Sequence, residues 1–179
     1  ENTDEDKEDE DTGTRAQETD VIGDGYSKEY TSSSGITYKL YRQFEGSYAN
    51  NSYWNGTMHD SGCGPTAVAI LASGLTGYDY TPADIATQMG GEGGYTSYTT
   101  LKAEMDTLGM TSEIITGPTA EDIQENLKNG KVMLVSVNNN TIFTNNSHIM
   151  AIIDINTDGQ VYIGNPGSSS LYGWYDIDE

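Results

Sequence analysis

Asp60-Ser61-Gly62-Cys63-Gly64-Pro65-Thr66-Ala67-Val68-Ala69-Ile70-Leu71 is the stretch around which the chain is organised. Cys63 is the only cysteine. Pro65 suits the first turn of a helix, where its missing N–H costs nothing. Ala67, Ile70 and Leu71 recur at helical spacing, which gives that helix an apolar face. Cys63 is therefore expected at or just before a helix N-terminus. The partial positive charge there favours thiolate over thiol. The flanking glycines are expected to leave room for a substrate backbone to approach the sulfur. A cysteine that merely packs needs neither of them, so Cys63 reads as a nucleophile.

A nucleophilic thiol needs a base, and only His59 and His148 exist. His59 lies in a loop four residues before Cys63 and reads as an exposed loop histidine. His148 opens the apolar run Ile149-Met150-Ala151-Ile152-Ile153, where a polar residue is held at the mouth of a buried strand. It is the candidate general base. A third group should orient the imidazole. Asp154 shares the face of His148, but six residues along a strand is roughly 20 Å, out of reach. Asn165 is better placed. A four-residue loop Asn156–Gly159 pairs Ile155 with Gln160 and sets Asn165 opposite Met150, diagonal to His148. Diagonal neighbours lie about 7–8 Å apart, close enough for side chains to meet. A two-residue Asp158-Gly159 turn keeps the face and moves Asn165 one pair further away. Asn165-Pro166 also reads as a turn initiator. Acyl transfer further needs donors for an oxyanion: the Cys63 backbone N–H is one, and Gln43, the only Gln between linker and Cys63, is a candidate second.

The surrounding chain is consistent with one α+β domain. Its net charge is −20, which disfavours nucleic acid and anionic membrane surfaces and fits a basic or neutral substrate better. Residues 1–20 hold ten acids against Lys7 and Arg15, and read as a disordered, self-repelling tail. Residues 21–35 read as a continuing linker or a loose first strand, so the expected division is tail and linker over 1–35 and domain over 36–179. A strand is expected from Ile36, then a long loop over 45–62. Thr81-Pro82-Ala83-Asp84 predicts a helix start, as do Ser97 and Thr119 with Asp122. Helices are expected to about Met89, to Leu108 and to Gly130. Strands are expected at Met110–Thr116, Val132–Val137, His148–Ile155, Val161–Gly164 and Leu171–Ile177. Helices first and a mostly antiparallel sheet afterwards argue α+β.

One cysteine and two histidines build no metal site at the usual spacings, and no cofactor is called for. No apolar run is long enough to span a membrane. The composition, rich in Tyr, Asn, Thr, Ser and Gly and poor in Lys and Arg, looks like that of an exported bacterial protein, which is the expectation. No signal peptide is visible.

Gln43, the Gly62-Cys63-Gly64-Pro65-Thr66 helix start, His148 before an apolar strand, and Asn165-Pro166 after the next strand together resemble the papain-like cysteine peptidases. More narrowly they resemble the bacterial family related to the peptidases that cut double-glycine leaders from bacteriocins. The likeness covers about Tyr38 to Tyr175, and Gly-Cys-Gly-Pro is its most specific part. The resemblance implies Cys63 as nucleophile, His148 as base, Asn165 as orienter and Gln43 in the oxyanion hole. The family often has Asp before the Pro, where this chain has Asn165. Gln43 lies far upstream of Cys63, so the intervening loop must fold back. The leader peptidases proper are attached to transporters, and that substrate is not carried over. The expectation is a monomeric, exported, extracellular or cell-surface cysteine peptidase acting on a peptide or protein. Its alternatives are an amidase or acyltransferase on the same fold, or an inactive peptidase-like binding module.

Overall fold

A computed structural model describes residues 23–138 and 141–178. Its centre is helix α2, Cys63–Leu75. The sequence led us to expect one apolar face; instead every residue from Gly64 to Ala72 is buried. Small side chains make this possible. Ala67, Ala69 and Ala72 present no polar atoms, and Gly74 admits the Tyr38 ring, which a Cβ there would meet at 2.5 Å. A helix apolar all round belongs inside the domain. It is enclosed by strand β2 (Thr37–Tyr41), strand β6 (His148–Ile155), helix α3 (Pro82–Gln88) and helix α4 (Tyr98–Thr107). Val68, Ile70 and Leu71 are essentially inaccessible, each contributing on the order of 1.5–3 kcal/mol of burial free energy.

The second layer is an antiparallel sheet in the order β5 (Met133–Val137), β6, β7 (Val161–Gly164), β8 (Gly173–Tyr175). Ile149, Ala151 and Ile153 face the cluster around α2. Met150, Ile152, Val161 and Ile163 face the opposite cluster, with Leu127 of helix α5 (Ala120–Lys128). With both faces covered, β6 reads as a continuous apolar run.

The β6–β7 register reaches the expected result by another route. Ile155 pairs with Val161, not Gln160, so the connection is one residue longer than a four-residue loop. A bulge at Ile153 then takes up the extra residue, and Ile152 pairs with Ile163 and Ala151 with Gly164. Carried one pair further, this register sets Asn165 opposite Met150.

Of the two expectations for residues 21–35, the strand holds: β1 (Tyr26–Thr31) pairs antiparallel with β2. Residues upstream of Ile36 are therefore packed onto the domain. The Tyr30 ring stacks on Tyr162 with centroids 3.5 Å apart. Buried Asp154 accepts from the Tyr30 hydroxyl at 2.7 Å and from the Ser33 N–H and hydroxyl at 2.7 and 2.5 Å. The acidic tail over 1–20 lies outside the described residues.

The expected long loop over 45–62 is partly ordered into a small hairpin, β3 (Ser52–Tyr53) and β4 (Gly56–Thr57), and a short helix α1 (Met58–Ser61). Thr81, Ser97 and Thr119 each close a capping box, at α3, α4 and α5. The short Asp122 suffices at the third position, accepting from the Thr119 N–H at 2.8 Å. Met110–Thr116, expected as a strand, forms none. Lys102 Nζ donates to the Ser112 carbonyl at 2.7 Å, and the Ser112 hydroxyl to Asp106 at 2.6 Å. These bonds tie the segment to the end of α4 instead of to the free edge of β5. The last expected strand shrinks to β8, preceded by a 3-10 turn at Ser169–Leu171. No helix among the described residues is long and apolar enough to cross a membrane.

Candidate active site

Cys63 is the first residue of α2 and retains part of its surface. The helix start forms because Gly62 turns the chain out of α1, its N–H donating to the Met58 carbonyl at 2.9 Å. Gly62 and Gly64 are both buried, which corrects the expectation that they clear a path for substrate. A Cβ on Gly62 would strike the Met58 carbonyl, and one on Gly64 would lie 2.6 Å from Thr96 Cγ2 and 3.3 Å from Leu101 Cδ2. They are glycines because the protein's own chain fills that space. Thr96 is held in turn by Tyr53, their hydroxyls 3.0 Å apart.

His148 sits at the first residue of β6, buried, opposite Val137. Its Nε2 is 2.7 Å from Asn165 Oδ1. Asn165 is 1% exposed and follows directly on β7. The same Oδ1 accepts the Gly167 N–H at 2.8 Å, so Asn165 is both a turn residue and the partner of His148. The backbone N–H of Ile149, the residue after His148, is directed at the Cys63 sulfur, as are the N–H groups of Gly64 and Cys63 itself. The start of α2 and the start of β6 thus meet at the thiol.

Gln43 follows β2 by two residues and is 7% exposed. Its N–H donates to the Pro166 carbonyl at 2.9 Å, and its Nε2 donates to the His59 carbonyl at 2.8 Å. One bond fixes it to the loop of Asn165, the other to the helix that leads into Cys63. The upstream segment does fold back, as its distance in sequence required. One N–H of the Gln43 amide remains for a further acceptor.

The other two candidates go elsewhere. His59 lies in α1, exposed, with Nδ1 2.9 Å from Asp60 Oδ1 and its ring edge-on to Phe44. Asp154 is committed to β1 and its turn, as described.

The electrostatics run against one sequence expectation. Burial pushes the Cys63 thiol up, and the three backbone N–H groups oppose it. Burial likewise lowers the His148 pKa, against the pull of the Asn165 hydrogen bond. Both shifts favour the neutral form of their group, against a thiolate preformed by the helix terminus. Desolvation outweighs the helix dipole, whose effect is only about 0.3–1 kcal/mol at an exposed terminus.

Thr96, Tyr53 and Gly167 are parts of the site that sequence reasoning missed. Nothing in sequence marks the first two; Gly167 was signalled only by its place after Asn165-Pro166. A separate apolar groove of about 1120 Å³ runs along β5 and the segment of Ile114 and Ile115, and includes none of Cys63, His148, Asn165 and Gln43.

The α+β fold, with helices and antiparallel sheets, is compatible with a cysteine peptidase-like protein. The chain belongs to the Peptidase_C39 like family, whose model matches residues 35–179. No curated protein and no solved structure matches it.

Proposed function

We propose that the protein is a cysteine peptidase that hydrolyses peptide bonds through a thioester on Cys63. The observation that carries this reading is that the start of α2 and the Ile149 N–H meet at the Cys63 sulfur, one residue along β6 from His148, whose Nε2 is held by Asn165. In the first step His148 Nδ1 takes the thiol proton as Sγ attacks the substrate carbonyl carbon. The C–S bond forms, and the carbonyl oxygen becomes an oxyanion that accepts from the Cys63 N–H and the remaining Gln43 N–H. Collapse breaks the C–N bond, and the imidazolium passes its proton to the departing amine. Water, deprotonated by His148, then attacks the thioester. The C–S bond breaks, the acid product leaves, and the thiol regains its proton.

The acidic body favours neutral or basic peptides over acidic ones. Its composition supports action outside the cytoplasm. Protease added to intact source cells should remove the protein, and full protection would place it inside.

The test is a peptide mixture digested in ¹⁸O-water with wild type and with Cys63→Ala. Hydrolysis puts one ¹⁸O into each new C-terminus in the wild type and none with the variant. Products joined to an added amine would make the protein an acyltransferase. Peptides retained without cleavage would make it a binding module.

A further inference from the structure

Asn165 carries an amide, and an amide can present either end. With its oxygen toward His148, Nε2 carries the imidazole proton and Nδ1 is left as a base. With its nitrogen toward His148, the proton must move to Nδ1, and no base faces the thiol. The 2.7 Å contact alone fits both arrangements. The Gly167 N–H decides between them. It is a backbone donor that cannot reverse, and it lies 2.8 Å from the same Asn165 atom. Only the oxygen can occupy that place. The far end of the amide, Nδ2, is buried without a hydrogen-bond partner among the described residues, so the oxygen side alone holds the orientation.

Gly167 also makes room. A Cβ there would lie 2.9 Å from His148 Cε1, 3.0 Å from Nε2 and 3.3 Å from Asn165 Oδ1. Its φ is outside the left-handed region, so the requirement for glycine comes from the imidazole and not from backbone conformation.

We propose that Gly167 is a positioning residue: its N–H fixes the Asn165 amide and so the Nε2–H tautomer of His148, while its bare Cα leaves the space the ring occupies. The inference rests on the reading of His148 as the base.

The test is a long-range ¹⁵N spectrum of the histidine rings at about pH 7.5, where an imidazole is neutral. Wild type should show His148 protonated at Nε2. Gly167→Ala should lose that single tautomer. Its kcat should fall about 10²-fold, the scale of an ångström-sized misplacement, with KM within about twofold. Adding Asn165→Asp to Gly167→Ala should restore the Nε2–H signature, because both carboxylate oxygens accept. A Gly167→Ala protein with the wild-type signature and wild-type kcat would overturn the proposal, as would a wild type protonated at Nδ1. Should Gly167→Ala not fold, Asn165→Ala is read in the same spectrum: a released tautomer supports the proposal and an unchanged one overturns it. The spectrum needs no turnover. A protein that cleaves nothing yet shows the Gly167-dependent tautomer would refute the peptidase reading and keep this one.

Discussion

Gln43 and Pro166 are joined by a backbone hydrogen bond of 2.9 Å. It joins the segment of Gln43, the proposed oxyanion donor, to the loop of Asn165, the proposed partner of the base. Gln43→Ala keeps that backbone bond and removes the side-chain donor. Its kcat should fall about 10²–10³-fold, the usual cost of one oxyanion donor, with KM nearly unchanged. Denaturant melts should show a loss of only about 1 kcal/mol, that of the bond to the His59 carbonyl. A kcat within a few-fold of wild type would remove Gln43 from the mechanism.

The glycines at the head of α2 separate two explanations of the same motif. Gly64→Ala forces a Cβ to 2.6 Å from Thr96 and should cost about 1–3 kcal/mol by overpacking. Gly93 has nothing within 4 Å of its would-be Cβ, and Gly93→Ala should stay within about 0.5 kcal/mol of wild type. If Gly64→Ala leaves the melting temperature intact and raises only KM, the glycine serves substrate access after all.

Asp154 anchors the N-terminal hairpin to the sheet through Tyr30 and Ser33. Asp154→Ala leaves the half-buried Tyr30 hydroxyl and the exposed Ser33 N–H and hydroxyl without their acceptor, and should destabilise the fold by about 1–3 kcal/mol in urea melts. Limited proteolysis should then cut first within 23–36. An unchanged midpoint would show that the tyrosine stack suffices.

The contact between His148 and Asn165 was legible because sheet periodicity relates them: the faces of β6 and β7 alternate, and the pairing fixes their offset. The loop was longer than expected and the bulge at Ile153 compensated, so the relation survived an error in each part. The bulge leaves no mark in the apolar run Ile149-Met150-Ala151-Ile152-Ile153. The segment 110–116 was misread because its β-branched residues suit a strand, while the bonds that detain it come from Lys102 and Asp106 on another element. Gly62 and Gly64 were misread because a close approach between distant segments, here Thr96 on Gly64, is invisible in one dimension. The direction of the Cys63 shift failed for the same reason: the helix start is local and readable, whereas desolvation depends on everything packed around it.

Burial of neutral His148 gives stability a pH dependence of definite sign. Its folded pKa is below 6.5, so the unfolded chain takes up the proton first as pH falls. The contribution is complete above about pH 6.5 and is lost as pH drops from there through the lowered value. Between pH 7 and 5 the melting temperature of wild type should fall more than that of His148→Ala. Parallel curves would mean that His148 is not buried as a neutral group.

If Cys63 and His148 act as a nucleophile and its base, iodoacetamide labelling of Cys63 will report it. With the neutral forms favoured, the labelling rate should follow the neutral form of His148, reaching a plateau that begins below pH 6.5. At that plateau His148→Ala should slow labelling by about 10²-fold or more, the scale of general-base assistance. His59→Ala, whose ring faces Asp60 and Phe44, should leave the rate unchanged. A rate indifferent to His148, following an ordinary thiol titration near pH 8.5, would mean that His148 is not the base of Cys63.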